Sequence, residues 1–168
     1  MERVGPERKS MNTLSHEPFL RRSFALARQA TEKGNHPFGA LLVDAGGTIV
    51  LEAENTVSTE HDCTGHAETN LMREASKRFD SDFLASCTLY TSTEPCAMCA
   101  GAIYWGGVSR VVFGLRESAL LELTGDHQEN PTLDLPCREV FARGQRSVEV
   151  IGPLLEEEAK QVHRDFWS

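Results

Sequence analysis

The chain has 168 residues, 40% hydrophobic and 25% charged, with a formal net charge of −8. That is the length of one domain, enough to bury roughly 70% of the surface the unfolded chain exposes without disulfide staples. The acidic balance and the lack of any dense Lys/Arg run argue against a surface that tracks a large nucleic acid, and no apolar run approaches the ~20 residues of a bilayer span.

In chain order, the polar segment MERVGPERKSMNTLSHE has no apolar stretch of the kind a secretory signal needs. Residues 1–15 are read as a mobile leader, with Met11 as an alternative start, and 16–168 as a single domain. From Pro18 to Lys33, Phe19, Phe24, Ala27 and Ala30 recur at helical spacing up to Gly34. FGALLVD (38–44) suits a buried strand, AGG (45–47) a turn, and TIVLEAEN (48–55) the second arm of a hairpin. A helix is expected from about Ala67 to Phe79, a strand over 86–92, a helix from Ala97 to Trp105 and a strand over 109–114. Residues 116–136, acidic and broken by Gly125, Pro131 and Pro136, read as an irregular excursion with short helical pieces. A last strand (147–152) and a closing amphipathic helix (154–167) complete the chain. Strands alternating with helices predict a three-layer α/β/α sandwich around a mixed sheet of about five strands, the early hairpin supplying the antiparallel part.

Cys63, Cys87, Cys96, Cys99 and Cys137 are odd in number. With no export signal they point to the cytoplasm and to thiols used for packing or metal. Two of them carry a pattern: Cys96 and Cys99 form a C-x-x-C pair after Pro95, at an expected strand-to-helix junction. Their thiolates are favoured there by the helix N-terminus. His66 and Glu68 sit at another such junction, in TGHAETN. In mid-helix, residues two apart point away from each other, but at a helix end both can reach a common centre. If His66, Cys96 and Cys99 hold one Zn2+ per chain, three protein ligands leave a fourth position open, the mark of a catalytic zinc. Water there falls from a pKa of ~15.7 toward about 7, and Glu68, beside the metal without being a ligand, is placed to shuttle protons.

Three other readings compete. His66-x-Glu68 can be a helix cap with a surface charge, and C-x-x-C simple packing. The pair can be a redox dithiol, which leaves His66 and Glu68 without a task. Cys63-x-x-His66 with Cys96-x-x-Cys99 can close a four-ligand structural zinc in a non-catalytic binding module.

The residues His66-Ala67-Glu68 and Pro95-Cys96-Ala97-Met98-Cys99 follow the H-x-E…P-C-x-x-C signature of zinc deaminases, and the chain resembles the cytidine deaminase superfamily from about Phe38 to Gly114, more weakly to Phe166. The resemblance implies a hydrolytic deaminase of a nucleobase or nucleoside, a metal held between two helix ends, and a homodimer that sometimes exchanges C-terminal segments. Bacterial guanine deaminases and tRNA adenosine deaminases are the two branches it is most similar to. Asn55 matches a substrate-contacting asparagine in both, while Phe38 and Trp105 match aromatics lining the guanine deaminase base pocket; core packing is their alternative role. Ala67 joins the substrate-binding set, as does Asp126, either a carboxylate reading an amino-substituted base edge or a solvated loop acid. Gly65, where many relatives have Ala, and residues 116–138 depart from the pattern. Glu94 is read with its backbone near substrate and its side chain exposed, and His36, His61, His127 and His163 as solvated or locally hydrogen-bonded. Guanine, giving xanthine, is the first substrate expected; cytosine, a free nucleoside and adenosine in a tRNA anticodon are the alternatives.

Overall fold

The computed structural model describes the backbone of residues 6–164, 166 and 167, with side chains from residue 16 onward except 165 and 168. The elements run α1 (Pro6–Glu32), β1 (Gly39–Val43), β2 (Ile49–Glu54), α2 (Val57–Glu60), α3 (Ala67–Arg78), α4 (Ser81–Ser86), β3 (Thr88–Thr93), α5 (Ala97–Gly106), β4 (Arg110–Leu115), α6 (Glu117–Thr124), α7 (Cys137–Ala142), β5 (Glu149–Ile151) and α8 (Glu156–His163). The strands form one sheet in the order β2-β1-β3-β4-β5. β1 is antiparallel to β2 and β3, whereas β3–β4 and β4–β5 are parallel. The mixture follows from the connections. β1 and β2 are joined by a tight turn in which Asp44 Oδ1 accepts from Gly46 N (3.0 Å) and Thr48 N (2.9 Å). Parallel neighbours need a long crossover, supplied by α5 and then by α6 and α7.

Side-chain alternation divides the interior in two. On β1, Ala40 and Leu42 join a core with Leu71 and Met72 of α3 and Ala100 and Ile103 of α5. Leu41 and Val43 face the other way, toward Leu20 and Phe24 of α1 and Val162 of α8. All five β1 residues are buried, as expected of a strand covered on both faces. The result is the expected α/β/α sandwich. Glycine lets α1 settle closely on the sheet: a Cβ on Gly39 would lie 2.6 Å from the Ser23 carbonyl oxygen. No described helix is long and apolar enough to cross a membrane.

All five expected strands are present within two residues of their expected limits at each end. The first helix starts at Pro6, not at Pro18, which lies inside it. The Glu, Arg, Lys, Met and Leu of residues 7–17 are good helix formers, whereas Pro18, a residue more usual in a first helical turn, lies in the helix interior. Of the expected leader, residues 1–5 lie outside the described residues and 6–15 form the start of this helix. Within the expected excursion 116–136, α6 is regular and 125–136 is not; the closing helix ends at His163 instead of Trp167.

Candidate active site

His66 is the N-cap of α3 and Cys96 the N-cap of α5, both in extended backbone conformations. The two helices pack against each other on one face of the sheet, so their N-termini meet beyond the carboxyl end of β3. Cys96 Sγ stands 3.5 Å from His66 Nδ1, Cys99 Sγ stands 3.6 Å from it, and the three ligand atoms all lie within 4.8 Å of one another. Tetrahedral zinc with Zn–N near 2.1 Å and Zn–S near 2.3 Å has N···S edges of about 3.6 Å, so this donor set fits zinc in both chemistry and spacing. The Cys96 thiol is pushed down to about 4 by its bonds with Cys99 and His66, against burial, whereas the bond with Cys96 and burial raise Cys99. Cys63 is exposed and stands outside the cluster, which removes the closed four-ligand arrangement in this conformation. Gly65 has a steric reason: a Cβ there would meet Thr56 Oγ1 at 2.8 Å, and the Gly65 carbonyl accepts from Thr56 N at 2.8 Å. That close approach sets the entry of His66 into α3.

Glu68, in the first turn of α3, is 5% exposed. Burial raises its pKa, and the charge of Cys96 adds to the shift. Its Oε1 lies 3.0 Å from Thr91 Oγ1, which lies 3.1 Å from the Thr93 carbonyl oxygen. A hydroxyl has one hydrogen and two lone pairs. It can donate to an ionised Glu68, or accept from a protonated Glu68 while donating to Thr93. Thr91→Val removes this partner and is expected to lower kcat roughly tenfold or more with zinc content unchanged, whereas Thr91→Ser keeps kcat near wild type. Steady-state kinetics check this; an unaltered kcat in Thr91→Val would show that the hydroxyl plays no part.

A cavity of about 390 Å³ opens beside the cluster, and His66, Glu68, Cys96, Asn55 and Phe38 all line it. Asn55 is 2% exposed, and its Oδ1 accepts from Val57 N at 3.1 Å. Three of the expected substrate-binding residues are not in the lining. Ala67 is buried between His66 and Glu68. Trp105 is 79% exposed, in a shallow groove beside Met72 and Arg73 on the outer side of α3 and α5. Helix α5 buries Cys99, Ala100 and Ile103, and Trp105 falls on the face away from them. Asp126 is exposed just beyond α6, and the carboxylates facing the cavity are Glu94, Glu117 and Glu129 instead. Glu94 is 7% exposed, contrary to the expected surface position. Burial pushes Glu117 up to about 8, with the charges of Cys96, Glu68 and Glu94 adding. His36 also lines the cavity; its buried Nε2 has no hydrogen-bond partner and lies 4.0 Å from Glu129 Oε1. Phe166 and Trp167 pack behind this wall. The Trp167 ring stands 5.4 Å from His36 and 6.3 Å from Phe38, and its Nε1 donates to His163 Nδ1 at 3.1 Å.

A zinc-fitting trio at the N-termini of two packed helices, with a buried carboxylate two residues from the histidine, fits a metal-dependent hydrolase. Residues 13–115 match the cytidine and deoxycytidylate deaminase zinc-binding region, and the chain belongs to that family of zinc-dependent nucleobase and nucleoside deaminases. It is 42% identical over 151 residues to a probable cytosine deaminase of Schizosaccharomyces pombe, covering 89% of this chain and 91% of the relative. A tRNA-specific adenosine deaminase of Aquifex aeolicus is 37% identical over 100 residues, covering 60% and 66%. Among solved structures, the guanine deaminase of Nitrosomonas europaea superposes with a TM-score of 0.73 at 28% identity, covering 88% of this chain and 81% of that one. The chain is thus a hydrolytic deaminase.

Proposed function

We propose that the chain deaminates an uncharged free base, guanine first, with water as co-substrate and xanthine and ammonia as products. The observation that carries this is that the cavity offers a phosphate no cationic side chain: no Lys or Arg is among the described lining residues, and Glu94 and Glu129 face it beside Glu68 and Glu117, whose charged forms burial disfavours. A phosphate-bearing nucleotide or an RNA backbone would find no Lys or Arg to neutralise it there. A neutral heterocycle needs none, and a volume near the small end of ligand cavities suits it. Glu129 takes the role expected of Asp126: an exposed carboxylate at the mouth accepts from the N–H-rich edge that guanine presents.

Zinc, when bound, supplies Lewis acidity and lowers the pKa of water at its open position. Glu68 takes one water proton at a carboxylate oxygen and delivers it to a ring nitrogen, then carries the second to the departing amine, so that oxygen replaces nitrogen and ammonia leaves. The Thr91 hydroxyl follows the change in Glu68 charge. Asn55, its oxygen engaged by Val57, offers its amide nitrogen to substrate, and Phe38 walls the ring. The same reading has the chain act in the cytoplasm as a homodimer. Five cysteines, two of them taken up by the metal site, leave an odd number for any disulfide set, which is in keeping with a reducing compartment, and sedimentation equilibrium decides the assembly.

Ammonia release from guanine, cytosine, guanosine, cytidine and adenine, with inosine formation in a tRNA anticodon stem-loop measured in parallel, tests the proposal. Guanine is expected to react fastest. Cytosine turnover with guanine inert would give the second reading, which the 42% identity to the probable cytosine deaminase over nearly the whole chain favours. Inosine in the stem-loop with no base deaminated would overturn both.

A further inference from the structure

Glu94 has no task in the chemistry just described, yet it is the most completely engaged acid at the cavity. Its backbone N–H donates to the Leu115 carbonyl at 2.7 Å, tying the end of β3 to the end of β4. Its side chain is 7% exposed. Oε1 accepts from the backbone N–H of Glu117 at 3.0 Å, and Oε2 accepts from the backbone N–H of Cys137, also at 3.0 Å. These are the first residues of α6 and α7. Amides at that position have no partner inside their own helix, and neither Arg116 nor Pro136, the two N-cap residues, provides a side-chain cap. One carboxylate therefore caps two helices, and its charge suits the positive ends of both.

What lies between those two helix starts is the outer wall of the cavity. Glu117 and Leu120 come from α6, and Glu129 to Leu133 come from the irregular segment that ends where α7 begins. Glu94 is also two residues before Cys96, with the rigid Pro95 between them. The same backbone that places a metal ligand thus holds, through one side chain, both ends of the wall facing that ligand.

We propose that Glu94 is a positioning residue that sets the substrate wall of residues 117–137 at a fixed distance from the metal ligands, and so governs which base fits; this rests on the free-base reading above. Glutamine at this position keeps the size and one acceptor oxygen but turns an NH2 group toward the other helix amide, so that only one helix start can be held. In zinc-loaded Glu94→Gln, KM for the preferred base is expected to rise tenfold or more with kcat within about threefold of wild type. Preference over the next base in the panel, as a ratio of kcat/KM, is expected to fall by a similar factor, with zinc remaining stoichiometric. A lower melting temperature with KM and base preference unchanged would reduce Glu94 to a structural cap and overturn the proposal.

Amide exchange in the wild-type protein gives an arm that needs neither a folded variant nor a substrate. The Glu117 and Cys137 amides are expected to exchange at least tenfold more slowly than the Ser118 amide, the next residue in α6, which has no comparable anchor among the described residues. Rapid exchange at either first-residue amide would overturn the clamp. If the wild type deaminates none of the bases, the free-base reading fails while this exchange measurement still decides the clamp.

Discussion

Glu68→Gln is expected to retain stoichiometric zinc and the wild-type fold while losing at least the ~10²–10⁴ in turnover that a general acid–base contributes. The substitution is nearly isosteric, and its amide oxygen can still accept from Thr91 Oγ1, 3.0 Å from the native carboxylate. What it removes is the capacity to take up and release a proton. Burial already disfavours the charged form of Glu68, so the neutral amide is expected to leave the melting temperature unchanged or raise it, a stability–function trade-off common where a site holds a desolvated charge. Kinetics and thermal melting on the same preparation separate the effects. Near-wild-type turnover would remove Glu68 from the mechanism, and lost activity with a collapsed melting transition would point to a structural role.

Removal of the metal is the second large effect. Chelation is expected to reduce turnover by roughly 10³-fold or more, since lowering the pKa of water and polarising the substrate are each worth several kcal/mol. Stoichiometric zinc should restore it. The fold is expected to survive. His66 and Cys96 sit at helix caps, outside both cores, and those cores are filled by side chains from the sheet and its covering helices. Far-UV circular dichroism of the apo protein should therefore match the holo protein, with a melting transition still cooperative but lowered by the lost binding energy. A zinc-stabilised binding module predicts the opposite, apo protein that is unfolded.

The parts of this molecule that could be read in the sequence are those whose cause is local. Strands 39–43 and 110–115 are short, largely apolar runs, and the metal ligands lie in two short motifs at helix starts, each legible by itself, although the packing of α3 on α5 is what brings the histidine to the cysteines. Trp105 shows where such reading ends. AMCAGAIYWG is apolar on nearly every face, so periodicity could not say which side meets the core, and the tryptophan lies on the outside. Glu94, Glu117 and Glu129 carry no pattern either. A single acid in a polar stretch reads as solvated, and only the parallel crossovers from β3 through α5 to β4 and on to α6 bring these three to one cavity. A hint lay in Glu94 itself: an acid directly before Pro-Cys at the end of a buried strand has little solvent to face.

X-ray absorption at the zinc edge of the loaded protein tests the central claim most directly. Three protein ligands with a fourth position open to water predict two sulfur neighbours at about 2.3 Å and two nitrogen or oxygen neighbours at about 2.0–2.1 Å. A third sulfur, with Cys63 drawn in from the surface to fill the fourth position, would contradict the account.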